Sequence, residues 1–275
     1  MKELTLKDIQ KRSLEILQIV HDFCVDNRIT YSLAYGTLIG AFRHKGFIPW
    51  DDDIDIIMPR PDYEVFCKSF KSDELGISSE YDDDCLMNFC KVYDIKDTIG
   101  KEMAPFTKKR GTGVTIDVFP IDSVPDSFEE FSAIVQELYP LWRKQIRYRY
   151  SKASISDIIK TFPAKDICIL LAIKLSGCAN FFINKINRTL REKVKRLSWG
   201  TTSHWSQLVI LDDGTRNYQD NADFAETIDV QFEDRTFKCL NGYHVFMTKI
   251  YGDYMELPPE QEQKPKHIRS KYFWK

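Results

Sequence analysis

Leu6, Ile9, Ser13, Ile16, Leu17, Val20, Phe23 and Cys24 recur at intervals of three and four residues, which predicts an amphipathic helix over residues 5–28. The pattern then shortens. YSLAY (31–35) reads as a brief strand ending at Gly36-Thr37, and Thr37 to Arg43 suits one short helix whose first amides point beyond that turn. Pro49 breaks the helix, and the alternation in DIDIIM predicts a strand from about Asp53 to Met58. PRPDYEVFCKSF opens a helix with Pro61 in its first turn. Two further strands are expected in residues 87–95 and 113–121.

From Ser127 to Leu197 the periodicity is mostly helical. Ile228 to Leu240 predicts a hairpin around Glu233-Asp234-Arg235, and NGYHVFMTKIYGDY predicts a closing helix before Pro258-Pro259. The order of elements implies an α+β fold of α/β-like character. Residues 1–125 form a mixed sheet flanked by helices, and residues 126–275 form a mostly helical half packed on it. No internal repeat separates the two.

Among 275 residues, 43% are hydrophobic and 29% charged, the balance of a folded globular chain. A net charge of -2 excludes a general nucleic-acid binder, because such proteins carry a strong basic excess. The charged N-terminus has no apolar signal-peptide core, so the expected location is the cytoplasm. Seven scattered cysteines without a CxxC pair are expected to be free thiols and suggest neither a disulfide framework nor a zinc site.

The apolar stretch Ile167 to Ile183 is shorter than the ~20 residues of a bilayer crossing and contains Lys174, Ser176, Gly177 and Asn180. A cationic run, NKINRTLREKVKR, follows it. Such a basic amphipathic segment suits peripheral contact with an anionic membrane at its inner face, and a core helix followed by a solvated face is the competing role.

The most informative side chains are Asp51, Asp52, Asp53 and Asp55. In a strand, Asp53 and Asp55 project to one side while Ile54 and Ile56 enter a core. Like charges this close raise each other's pKa unless a cation neutralises them. Mg²⁺, with Mn²⁺ as its alternative, suits such oxygen ligands and phosphate partners. Asp117, bracketed by Ile116 and Val118, supplies a third carboxylate if its strand lies beside the first. Three acids can serve two metals that bridge a donor's phosphates and an attacking hydroxyl. Asp122 competes for that place, with a less regular alternation around it.

YGTLIGAFRHKGFIPWDDDIDIIM, IDVFPID about 60 residues later and YGDYMELPP near the end closely resemble the LicD family of the nucleotidyltransferase superfamily, relatives of fukutin-type proteins. The resemblance runs from about Leu14 to His267 and is weakest between residues 125 and 225. It implies a nucleotidyltransferase-type sheet, with Gly36 and Thr37 in the small-residue turn that cradles donor phosphates. Asp53 and Asp55 match the family's metal-binding pair, and Asp117 its third carboxylate. The implied reaction is Mg²⁺-dependent transfer of phosphocholine, or a similar phospho-alcohol group, from a CDP-linked donor, releasing CMP. The implied acceptor is a hydroxyl of a lipid-linked or oligosaccharide precursor of a surface glycan or teichoic acid.

Elementary chemistry supports several of these positions. Gly36 permits close approach of backbone to phosphate, and Thr37 can add a hydroxyl. Arg43 is favoured over His44 and Lys45 as a phosphate contact because guanidinium binds phosphate through two parallel hydrogen bonds. Lys91 stands out inside an apolar run and is a second phosphate candidate, its alternative being a strand-edge lysine. Trp50 offers a face to a base or a quaternary ammonium, or caps the core. Trp199, Trp205, Tyr218 and Phe224 form an aromatic group suited to enclosing choline or to packing, and His267 lies in a tail that could close over the site. Two rival functions fit an acidic pair less well. A sugar-nucleotide glycosyltransferase needs a larger nucleotide-binding unit before its acids, and a calcium-binding or membrane-scaffolding module has no use for their strand placement.

Overall fold

A computed structural model describes residues 1–102, 105–264 and 270–275. Helix α1 (Leu6–Asn27) starts at a capping box. Thr5 Oγ1 accepts from the Asp8 amide at 3.2 Å while Asp8 Oδ2 accepts from the Thr5 amide at 2.9 Å. It buries Ile16, Leu17, Val20 and Cys24 and ends at Arg28 in the left-handed region. From the same helix the buried Arg12 guanidinium reaches Asp94 through bonds of 3.2 and 3.0 Å.

The chain continues through β1 (Ser32–Leu33), α2 (Tyr35–Arg43), β2 (Asp55–Pro59), α3 (Arg60–Ser69), β3 (Leu75–Ser78), β4 (Cys90–Asp94), β5 (Thr98–Glu102) and β6 (Thr115–Val124). Four helices follow, α4 (Phe128–Tyr150), α5 (Ile155–Thr161), α6 (Ala164–Ser176) and α7 (Ala179–Val194). The remainder comprises β7 (His204–Ser206), β8 (Gln219–Asp220), β9 (Thr227–Phe232), β10 (Arg235–Leu240), α8 (Tyr243–Tyr251) and β11 (Ser270–Trp274).

The main sheet is mixed, in the order β1-β2-β6-β4-β3, and β6 also carries β7, which pairs β8. Strand β6 organises it. Its first half pairs in parallel with β2 and antiparallel with β4, and its second half pairs with β7. The expected α+β class with a mixed sheet and helical flanks is therefore observed. The main core takes Ile56, Ile57, Val92, Val118 and Ile121 from the sheet, and Trp205, Phe232, Phe237 and Phe246 from the last third of the chain. A second core joins Phe131, Leu138 and Trp142 of α4 to Ile186, Leu190 and Val194 of α7.

Two local expectations need correction. Helix α2 begins at Tyr35, so Gly36 and Thr37 form its first turn rather than a bend ahead of it. Strand β2 begins at Asp55, because Asp51 closes a turn onto the Ile48 carbonyl at 2.9 Å and sheet pairing starts only where Asp117 donates to the Ile54 carbonyl at 2.9 Å. Asp53 and Asp55 are therefore a loop residue and a strand residue, not alternate positions of one strand.

Candidate active site

The floor of the site is a row across three strands. Asp55 on β2 lies opposite Asp117 on β6, and Asp117 lies opposite Lys91 on β4. Direct register partners project to the same face, so the three side chains share one side of the sheet. Lys91 Nζ donates to Asp117 Oδ1. Thr37 Oγ1 accepts from the Asp55 amide at 2.9 Å, fixing where β2 begins. Burial, followed by the charges of Asp53, Asp117 and Asp51, pushes the Asp55 carboxyl well above the usual carboxylate range, against a smaller opposing effect of Lys91.

The loop ahead of β2 supplies more acids. One carboxylate oxygen from each of Asp51, Asp52 and Asp53 lies within 4.8 Å of the others, close enough to share a cation. Gly36 backs onto this loop. A Cβ at residue 36 would stand 2.7 Å from Asp51 Oδ2, so glycine is what lets the first turn of α2 approach the carboxylate.

These elements line a cavity of about 680 Å³ that includes Gly36, Trp50, Asp51, Asp53, Asp55 and Asp117. Its opposite side comes from the C-terminal half, with Asp212, Asp213, Asp253, Glu256 and the rings of Tyr251 and Tyr254, while Tyr35 and Phe119 add to the aromatic lining. Arg43 is the one arginine or lysine among the described lining residues. Its Nη1 donates to the carbonyls of Tyr254 at 2.7 Å and Glu256 at 2.8 Å, and its Nε donates to His44 Nε2 at 3.0 Å. Burial and then the Arg43 charge hold His44 below its ordinary pKa, which keeps the imidazole an acceptor. Arg43 thus fastens the 254–256 wall as well as facing the cavity.

The structure brings Asp53, Asp55, Asp117, Gly36, Arg43 and Trp50 to one cavity. Thr37 is buried beneath it and supports Asp55, and Lys91 meets it through Asp117. Asp122 is excluded. It is buried and held by Arg60 through two bonds of 2.7 and 2.6 Å, so its oxygens serve the core behind the site. Of the two roles open to Trp199, Trp205, Tyr218 and Phe224, packing is the one observed, because none of the four lines the cavity. Trp205 and Phe224 are buried in the main core and Trp199 packs against it, while Tyr218 stacks on His204 at 4.3 Å and donates to the Asp126 carbonyl at 2.8 Å. His267 lies outside the described residues.

The DDD run singles out Asp51 without giving it a role, which only its place beside Gly36 supplies. Tyr251, Asp253, Tyr254 and Glu256 occur in YGDYMELPP, a string with no periodicity to reveal which cavity its side chains join. Asp212 and Asp213 carried no local signal at all.

The mixed sheet thus presents carboxylates from two parallel neighbours, Asp55 and Asp117, beside the N-terminus of α2. Residues 28–152 match the family described as LicD/FKTN/FKRP, nucleotidyltransferase domain. The chain is 35% identical over 279 residues to the lipopolysaccharide cholinephosphotransferase LicD of Haemophilus influenzae, covering 99% of each protein. An uncharacterised protein of Rickettsia prowazekii is 28% identical over 136 residues, 48% of this chain and 46% of its own. The chain belongs to the LicD family.

Proposed function

We propose that this phosphotransferase moves phosphocholine from CDP-choline to a hydroxyl of a surface-glycan precursor, releasing CMP. The reading is supported by the full-length similarity to a cholinephosphotransferase, and it is carried by the row Asp55, Asp117, Lys91 at the floor of an acidic cavity.

The donor set fits Mg²⁺ or Mn²⁺. Asp53, Asp55 and Asp117, with Asp51 adjacent, offer only hard oxygen atoms, and the carboxyl of Asp55 is destabilised as an anion until a cation joins it. When bound there, such an ion neutralises phosphate charge and favours the deprotonated acceptor hydroxyl.

The chain's own groups do the rest. The first turn of α2 presents amides at Gly36 to the donor's phosphates, and Arg43 faces them from the adjacent wall. Quaternary ammonium favours aromatic faces, and Tyr35, Trp50, Tyr251 and Tyr254 supply them beside Asp213 and Asp253. The acceptor oxygen attacks the phosphorus that carries choline, a new P–O bond forms, and the bond to the CMP oxygen breaks in line. Asp117, steadied by Lys91, orients the hydroxyl and receives its proton. The acceptor is a lipid-linked or oligosaccharide glycan met at the inner face of the membrane. Incubating the protein and Mg²⁺ with a panel of CDP-alcohols and a lipid-linked glycan extract tests this. CMP release with CDP-choline and a phosphocholine-bearing glycan are expected, and no CMP above a protein-free control would remove the reading.

A further inference from the structure

Helix α6 is apolar around most of its circumference, yet of its residues only Leu170 is buried. A helix of that composition belongs in a core or in contact with lipid. Leu175 is 85% exposed at its end, Phe181 is 67% exposed at the start of α7, and Ile155 and Ile159 of α5 are 52% and 56% exposed. By contrast, α7 buries Ile183, Ile186, Leu190 and Val194. Gly177, in the left-handed region, ends α6, and the axes of α6 and α7 meet at 103°. No single helix among the described residues is long and apolar enough to cross a membrane, so Leu175 and Phe181 flank an elbow.

Charge complements that apolar tip. Residues 154–196 contain nine lysines and arginines against three acids. Lys160, Lys165, Lys185 and Arg188 are exposed. At the elbow itself Lys174 Nζ donates to the Ala153 carbonyl at 2.9 Å and Lys152 Nζ to Asn180 Oδ1 at 2.5 Å, bringing two ammonium groups to one hollow of about 240 Å³. Burial, then Lys108 and Lys174, hold the Lys152 ammonium below its ordinary pKa. An apolar tip flanked by cations, with Lys185 and Arg188 beside Phe181 in a hollow that Glu80, Asp82 and Asp83 also line, matches the interface of a bilayer whose headgroups are negative.

One residue is shared between this region and the site. Trp142, Ile146 and Leu170 line a groove of about 230 Å³ between α4 and α6, and Asp212 lines both that groove and the catalytic cavity.

We propose that the elbow formed by α5, α6 and α7 seats the protein on an anionic phospholipid bilayer. Leu175 and Phe181 enter the acyl boundary, while Lys185 and Arg188 meet headgroup phosphates. The groove at Asp212 then opens toward a membrane-borne acceptor, which is the one feature that rests on the functional reading above. Attachment itself needs neither donor nor acceptor.

The full chain, sedimented with vesicles of phosphatidylglycerol and phosphatidylcholine, is expected to bind, to bind pure phosphatidylcholine far less, and to be released by about 0.5 M salt. The paired change Leu175→Asp and Phe181→Asp should weaken binding about tenfold or more with no change in melting temperature. Lys185→Glu with Arg188→Glu should weaken it and flatten its salt dependence. The proposal is overturned if the unaltered protein stays in solution with anionic vesicles, if the aspartate pair binds like the parent, or if this face pairs two copies of the chain without lipid in sedimentation velocity. Binding without choline transfer would remove the functional reading and leave the seat, whereas transfer without binding would do the reverse.

Discussion

Lys91 and Asp117 face each other in antiparallel register, and the ammonium of one is bonded to the carboxylate of the other. Because Asp117 also lies beside Asp55, Lys91 is the protein's own partial counterweight to an acidic floor. Burial and the neighbouring acids still hold the Asp55 carboxyl above the usual range, which a divalent cation would counter.

Removing that counterweight should make the fold lean on added cation. Lys91→Met is expected to lower the melting temperature by a few degrees without divalent ions, on the order of 1–2 kcal/mol, and Mg²⁺ should restore more of it than in the parent. Differential scanning fluorimetry with and without Mg²⁺ reads this directly. Equal Mg²⁺ responses in both proteins would contradict it.

Gly36→Ala tests the close approach of α2 to the acidic loop. The added methyl would meet Asp51 Oδ2 at 2.7 Å, so the carboxylate must move. Activity should fall about tenfold or more while the circular dichroism spectrum holds, since a displacement on the order of 1 Å in a site commonly costs that much. Full activity in the variant would show that the position of Asp51 is immaterial.

The Arg60–Asp122 pair should behave in the opposite way. It is buried and bonded at both oxygens, so Asp122→Ala removes two of the buried guanidinium's bonds and leaves it, among the described residues, only Glu80 at 3.2 Å. A loss of about 3–5 kcal/mol is expected in urea unfolding. A loss below about 1 kcal/mol would contradict the assignment of Asp122 to the core rather than to the chemistry.

His44 gives the pH dependence a sign. Its folded-state pKa lies below the ordinary 6.5, through burial first and Arg43 second. The unfolded chain therefore binds the proton first as pH falls. The stability contributed by neutral His44 is whole above about 6.5 and is lost progressively from there down through the folded-state pKa. Melting temperatures from pH 8 to pH 5 should drop less steeply in His44→Gln than in the parent, and parallel curves would refute the effect.

Much of this was legible where chemistry and periodicity coincide locally. The helix α1 and the β9–β10 hairpin stand in short strings whose patterns name them, and Asp55 and Asp117 fall on strands as expected, whereas Asp53 precedes its strand. What escaped depends on distance along the chain. Strands β7 and β8, of three and two residues, have no period to detect, and β11 pairs β5 across most of the chain. The far wall of the cavity shares this character. Asp213 and Tyr251 acquire meaning only when the fold carries them opposite Asp55. Trp205 shows the same dependence, since an aromatic cluster in sequence is silent about whether its rings face a ligand or a core, and only the fold places this ring in the core.

The most direct test of the acidic row is CMP release from CDP-choline, with acceptor glycan and Mg²⁺, by the parent and by Asp55→Asn. The amide keeps the shape and the backbone bond to Thr37 while removing the buried charge. The melting temperature should therefore hold or rise, and turnover should fall by about two to three orders of magnitude. An Asp55→Asn protein releasing CMP within about threefold of the parent rate, a difference worth less than about 1 kcal/mol, would contradict the central role given to this row.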